Sequence, residues 1–164
     1  MTPNSEELLT LLNKAEVEYV VIGGVALVAQ GSARATFDLD VCYKRSKENI
    51  DKLCRALEPI HPRLRGAPDN LPFRFDTKTV VAGLNFTLAT DLGDLDLLGE
   101  VAGLGAYDAV YNCSELRAVE KISCRVLSLD GLYRAKIAAG RDKDLEALKE
   151  IKGLKDLKER LGQE

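Results

Sequence analysis

The stretch VVIGGVALVAQGSARATFDLDV, residues 20–41, limits this chain more than any other. It begins as a β-branched run, meets Gly23 and Gly24, turns helical, and returns as an apolar run carrying Asp38 and Asp40. Side chains on a strand alternate between faces, so Asp38 and Asp40 point one way and Phe37, Leu39 and Val41 the other. Two like charges on one strand face repel wherever water is scarce. That face is therefore either open to water or arranged around something positive.

The glycines add a second constraint. Glycine lets the backbone turn tightly and lets an anion approach. The helix that follows offers unbonded N–H groups and the positive end of its dipole. A glycine turn with two nearby carboxylates suits a divalent cation, and Mg2+ prefers one or two carboxylates plus substrate phosphates. Downstream, GDLDLLGEV (93–101) puts Asp94 and Asp96 on one strand face. Asp96, inside the apolar run, is favoured as a third acid. Asp94 sits beside the turn at Asp91-Leu92-Gly93, and the choice between the two stays open. Alone, D-x-D also describes a solvated strand face, and Gly-Gly a tight turn; their order and the second acidic strand favour a site.

Composition narrows the classes. The 164 residues fit one compact domain, with 46% hydrophobic and 30% charged residues. A net charge of −3 argues against nonspecific DNA or RNA binding, which calls for a basic domain. No apolar run approaches the ~20 residues of a membrane span. The N-terminus, MTPNSEELL, is polar and acidic rather than signal-like, so a cytoplasmic location is expected. Cys42, Cys54, Cys113 and Cys124 lack C-x2-C spacing, and His61 is the single histidine. Free thiols are expected, not a zinc site.

Periodicity supplies the elements. A helix is expected over 4–15, capped by Asn4, then a strand over 17–22. A short helix ends at Gly31, and a strand covers 36–43. Ser46 caps the next helix. Residues 59–74 hold four of the five prolines and read as a long loop. A helix near 76–82 precedes strands in LNFTLAT and DLDLLGEV. A helix over 105–112 and strands over 115–120 and 123–127 follow. Ser128 caps a helix to Ala139, and a last helix starts at Asp142. This order implies an α+β domain: a small mixed β-sheet with helices packed on it and helices at the C-terminus.

Gly-Gly, thirteen intervening residues and D-L-D-V resemble the hallmark of the polymerase-β-like nucleotidyltransferase superfamily. More narrowly, the chain is similar to a group of small bacterial nucleotidyltransferases. The similarity is carried by Arg34-Ala35-Thr36-Phe37-Asp38-Leu39-Asp40, by Leu64–Pro68 with Leu71–Phe73, by Asn85–Leu88 with Leu95–Gly99, and by Lys136–Asp144. That group is similar to abortive-infection and toxin-type nucleotidyltransferases. The resemblance covers roughly 17–150 and implies one nucleotidyltransferase-like domain over 1–164, with a core over 17–128 and a C-terminal helical segment over 129–161. It also implies transfer of a nucleoside monophosphate from an NTP, such as ATP, to an acceptor, with release of pyrophosphate. Asp38, Asp40 and Asp96 would be the catalytic acids and the ligands of two Mg2+ ions. Gly23 and Gly24 would hold phosphates. The acceptor stays open among RNA such as tRNA, a partner protein and a small molecule. A toxin–antitoxin-type regulatory or nucleotide-binding module on the same scaffold is the alternative.

The basic residues divide further. Arg34 is either a phosphate ligand or a surface arginine paired with an acid. Lys136 either faces the nucleotide or snorkels from its helix; the resemblance favours the nucleotide. Asp144 is expected to complement a helix dipole. Arg63, Arg65 and Arg74 either meet an acidic acceptor or solvate the loop. His61 is expected to be structural or solvated, and Tyr107, Tyr111 and Tyr133 to pack in the core rather than stack on a base.

Overall fold

The computed structural model describes residues 5–33, 38–68 and 70–162. Asn4, Arg34, Phe37 and the expected start of the second strand at 36 lie outside the described residues.

The chain runs α1 (Ser5–Lys14), β1 (Tyr19–Ile22), α2 (Gly23–Ala29), β2 (Asp38–Tyr43) and α3 (Lys47–Leu57). Then come β3 (Arg63–Leu64), α4 (Thr77–Ala82), β4 (Phe86–Thr90) and β5 (Gly93–Leu98). A small hairpin, β6 (Glu100–Val101) and β7 (Gly105–Ala106), leads to α5 (Tyr107–Asn112). The chain finishes with β8 (Ser114–Val119), β9 (Ile122–Leu127), α6 (Leu129–Ala139) and α7 (Leu145–Arg160). Among the described residues the main sheet has seven strands in the order β3-β4-β5-β2-β1-β9-β8. It is mixed: β2 runs parallel to β5 and β1 to β9, and the other neighbours are antiparallel. The fold is α+β, a mixed sheet with helices packed on it and helices at the C-terminus.

Hydrophobic alternation sets the layers. Leu39, Val41, Leu95, Leu97 and Leu88 are buried. They join Leu8, Leu9 and Leu12 of α1 and Ile50, Leu53 and Leu57 of α3 in one core. Burial at roughly 25 cal/mol per Å2 of apolar surface makes this cluster the main stabiliser. Local chemistry ends the helices where expected. Ser46 Oγ accepts from the Asn49 N–H, and Ser128 Oγ from the Gly131 N–H. Gly140 closes α6 with a φ of +62°.

Several boundaries depart from the sequence-based expectation; residues 105–106, expected to open a helix, form β7, and the first strand begins at Tyr19. The proline-rich loop contains β3, because Arg63 and Leu64 pair with Ala89 and Leu88 at the sheet edge. DLDLLGEV is broken at Gly99, where a side chain would collide with Leu84 and Arg45, and the Gly99 N–H bonds Asn85 Oδ1 at 2.9 Å. The last helix opens with a 3-10 turn over Asp142–Asp144 before α7 begins. No helix among the described residues is long and apolar enough to cross a membrane.

Candidate active site

β2 and β5 bring the acids together. Their parallel register sets Asp38 beside Asp94 and Asp40 beside Asp96, on strands about 4.7–4.9 Å apart. Paired residues share a face, so all four carboxylates project to the same side. Leu39, Leu95 and Leu97 hold the strands from behind. β4 continues the face with Thr87 beside Asp96 and Ala89 beside Asp94.

Gly23 closes the site from α2. It adopts a φ of +68°, which favours glycine, and a Cβ there would collide with the Asp40 carboxylate. The chain can therefore turn from β1 into α2 directly over Asp40, which lies opposite Ile22. Gly24 follows in the first turn of α2.

Asp40 is strongly perturbed. Burial pushes its pKa up to about 7, assisted by the charge of Asp96, a shared hydrogen bond with Asp96, and the charge of Asp38; Arg65 opposes the rise. Its Oδ1 is buried and has no hydrogen-bond partner among the described residues. Such an orphaned acceptor costs on the order of 1–3 kcal/mol.

Arg65 is the residue that the sequence did not single out from its loop neighbours. Its Nη2 donates to Asp96 Oδ1 at 2.6 Å, and its Nη1 stands 3.6 Å from Asp94 Oδ2. Burial works against the Arg65 charge, but the hydrogen bond and charges of Asp96 and Asp94 hold its pKa above the usual value. Arg63 differs: its guanidinium donates to the His61 carbonyl and to Asp91. His61 itself pairs with Asp91 at the surface.

Lys136 is bonded to Asp144 at the α6–α7 junction, with Nζ 3.1 Å from Oδ1. Asp144 is more than a dipole partner. Its side chain is only 5% exposed and also accepts from Arg141 Nε at 2.7 Å. Of the three tyrosines expected in the core, Tyr107 is buried, Tyr111 beside it is exposed, and Tyr133 lies under Lys155. All four cysteines are free thiols.

Among the described residues no three acid, histidine or cysteine side chains stand together as a ready-made metal centre. The donors nevertheless fit a Mg2+ that arrives with phosphate oxygens. Two carboxylates suffice for that ion, and Asp40 offers a buried oxygen with no other partner.

No protein-family model matches the chain, and no curated protein matches it. Among solved structures it is similar to a "putative nucleotidyltransferase" from Thermotoga maritima, at 16% identity and a TM-score of 0.59, over 92% of this chain and 94% of that one. At that identity the likeness is one of architecture, and what it establishes for this chain is a nucleotidyltransferase-like fold.

Proposed function

We propose that the chain is a Mg2+-dependent nucleotidyltransferase of the small bacterial type that its motifs resemble. It would move a nucleoside monophosphate from an NTP to a hydroxyl or phosphate acceptor and release pyrophosphate. The observation that carries this reading is the register of β2 and β5, which aligns Asp38 and Asp40 with Asp94 and Asp96 beside Gly23.

Asp38 and Asp40 would hold Mg2+, with Asp96 as the third ligand. When bound, the ion supplies Lewis-acid stabilisation of the charge that builds on the phosphate oxygens. The chain's own residues do the rest. Gly23 leaves space against Asp40 that a side chain would fill. Asp96, beside Asp40, receives the proton of an attacking hydroxyl. The acceptor oxygen then bonds to the α-phosphorus, the bond from that phosphorus to the bridging oxygen breaks, and pyrophosphate departs with that electron pair. No protein nucleophile is required. Lys136 and Arg34 are proposed to assist in binding phosphate, Lys136 by exchanging Asp144 for the nucleotide.

Incubation with each labelled NTP, Mg2+ and a lysate of the source cell tests the reading. Label is expected on RNA, protein or a small molecule, with pyrophosphate released in step. Undiminished release by a folded Asp38→Asn/Asp40→Asn double variant would sink it.

A further inference from the structure

The acid face contains a cation of its own. Arg65 directly follows β3, and its backbone N–H donates to the Thr87 carbonyl at 2.9 Å, so its Cα is pinned at the sheet edge. Its side chain reaches across β4: Nη1 donates to the Leu88 carbonyl at 3.2 Å and Nη2 to Asp96 Oδ1 at 2.6 Å. Asp96 lies beside Asp40, whose Oδ1 is buried without a partner among the described residues.

We propose that Arg65 is a positioning residue that sets the divalent-cation affinity of this site: it competes with a divalent cation for Asp96, and a cation engages the Asp40–Asp96 pair only as the guanidinium leaves. The proposal rests on the reading of these acids as a cation site.

Electrostatics favours the exchange. The Asp96 side chain is 25% exposed and that of Arg65 26%, so the pair is shielded from much of the solvent. A guanidinium and a divalent cation on one carboxylate would stand within a few ångströms of each other, where partial burial strengthens their repulsion. The 2.6 Å bond is short and charge-assisted, the kind that holds firmly until a stronger charge replaces it. The planar fork also spans Asp96 and Asp94 together, which a lysine ammonium does not do.

The released side chain has somewhere to go. A cavity of about 390 Å3 opens beside Arg65, lined by Arg63, whose charge Asp91 pairs, and by Leu64, Gly66, Pro68, Leu71 and Phe73. Gly66 leaves open space on its side-chain side. Arg63, on the short strand that Arg65 follows, cannot take this role because Asp91 and the His61 carbonyl already hold it.

Mn2+ titration in the absence of nucleotide, by calorimetry, tests the exchange on wild type, Arg65→Gln, Arg65→Lys and Asp40→Asn. Arg65→Gln is expected to bind Mn2+ about tenfold tighter than wild type, the order expected when a charge-assisted competitor is removed. Arg65→Lys should fall between the two. A merely structural arginine would give the opposite sign, since its loss weakens the site. Equal or weaker Mn2+ affinity in folded Arg65→Gln, with Asp40-dependent binding intact in wild type, overturns the exchange and leaves the acid site standing. Absence of Asp40-dependent binding in both proteins overturns the exchange and the cation site together. Should Arg65→Gln fail to fold, Arg65→Lys decides: tighter binding than wild type supports the proposal, and equal or weaker binding overturns it.

Discussion

Gly23 and Asp40 depend on each other. The φ of +68° at Gly23 is costly for any residue with a Cβ, and that Cβ would strike the Asp40 carboxylate. Gly23→Ala is expected to destabilise the protein by about 1–3 kcal/mol in urea melts and to displace Asp40. Asp40→Asn separates charge from shape. The folded pKa of Asp40 is about 7, above the unfolded value near 3.8. Stability from its protonated form is therefore full below pH 4 and is lost as the pH rises through 7. Asp40→Asn is neutral throughout, so it should gain on wild type between pH 4 and pH 8. Denaturant midpoints at the two pH values check this, and a gap that ignores pH contradicts it. The two acids and the glycine were visible in the sequence because a two-residue alternation and a helix-opening glycine are local patterns. Arg65 was not, since its partner Asp96 lies 31 residues away and the register of β3 on β4 delivers it.

Elements are held by their ends. Ser128→Ala removes the oxygen that accepts from the Gly131 N–H and should cost about 1 kcal/mol, measurable in urea. At the other end of α6, Asp144 ties Lys136 and Arg141 into the start of α7. Asp144→Ala leaves two cations without their shared anion and should lower the thermal midpoint by roughly a few degrees. Limited proteolysis is then expected to cut first near 141–145. The serine caps and Gly140 were legible as local signals. The junction was not: Lys136 and Asp144 meet only because α6 and α7 fold back on each other. The short β3 is not legible in the sequence for a related reason, since two residues carry no periodicity and their pairing with Ala89 and Leu88 is non-local.

For the whole molecule, nucleotide and cation should act as one ligand across β2, β5 and α2. With Mg2+ and its preferred NTP at about 100 times the dissociation constant, linkage adds about 2.7 kcal/mol. That corresponds to a thermal shift of about 5–10 °C in a chain of this size. The Asp38→Asn/Asp40→Asn variant should lose that shift while keeping its circular dichroism. Protons compete for Asp40, so cation affinity should fall by up to about tenfold per pH unit below 7.

The sequence by itself determined the kinds of element, most of their ends and the acids' place on one strand face. Those properties follow from alternation, capping and backbone freedom, each acting over a few neighbouring residues. The tertiary structure alone decided that β2 lies parallel to β5 with Asp40 beside Asp96, that Arg65 reaches them from the sheet edge, and that Lys136 meets Asp144. These are matters of register and helix packing, settled by the burial of the common core rather than by any local stretch of chain.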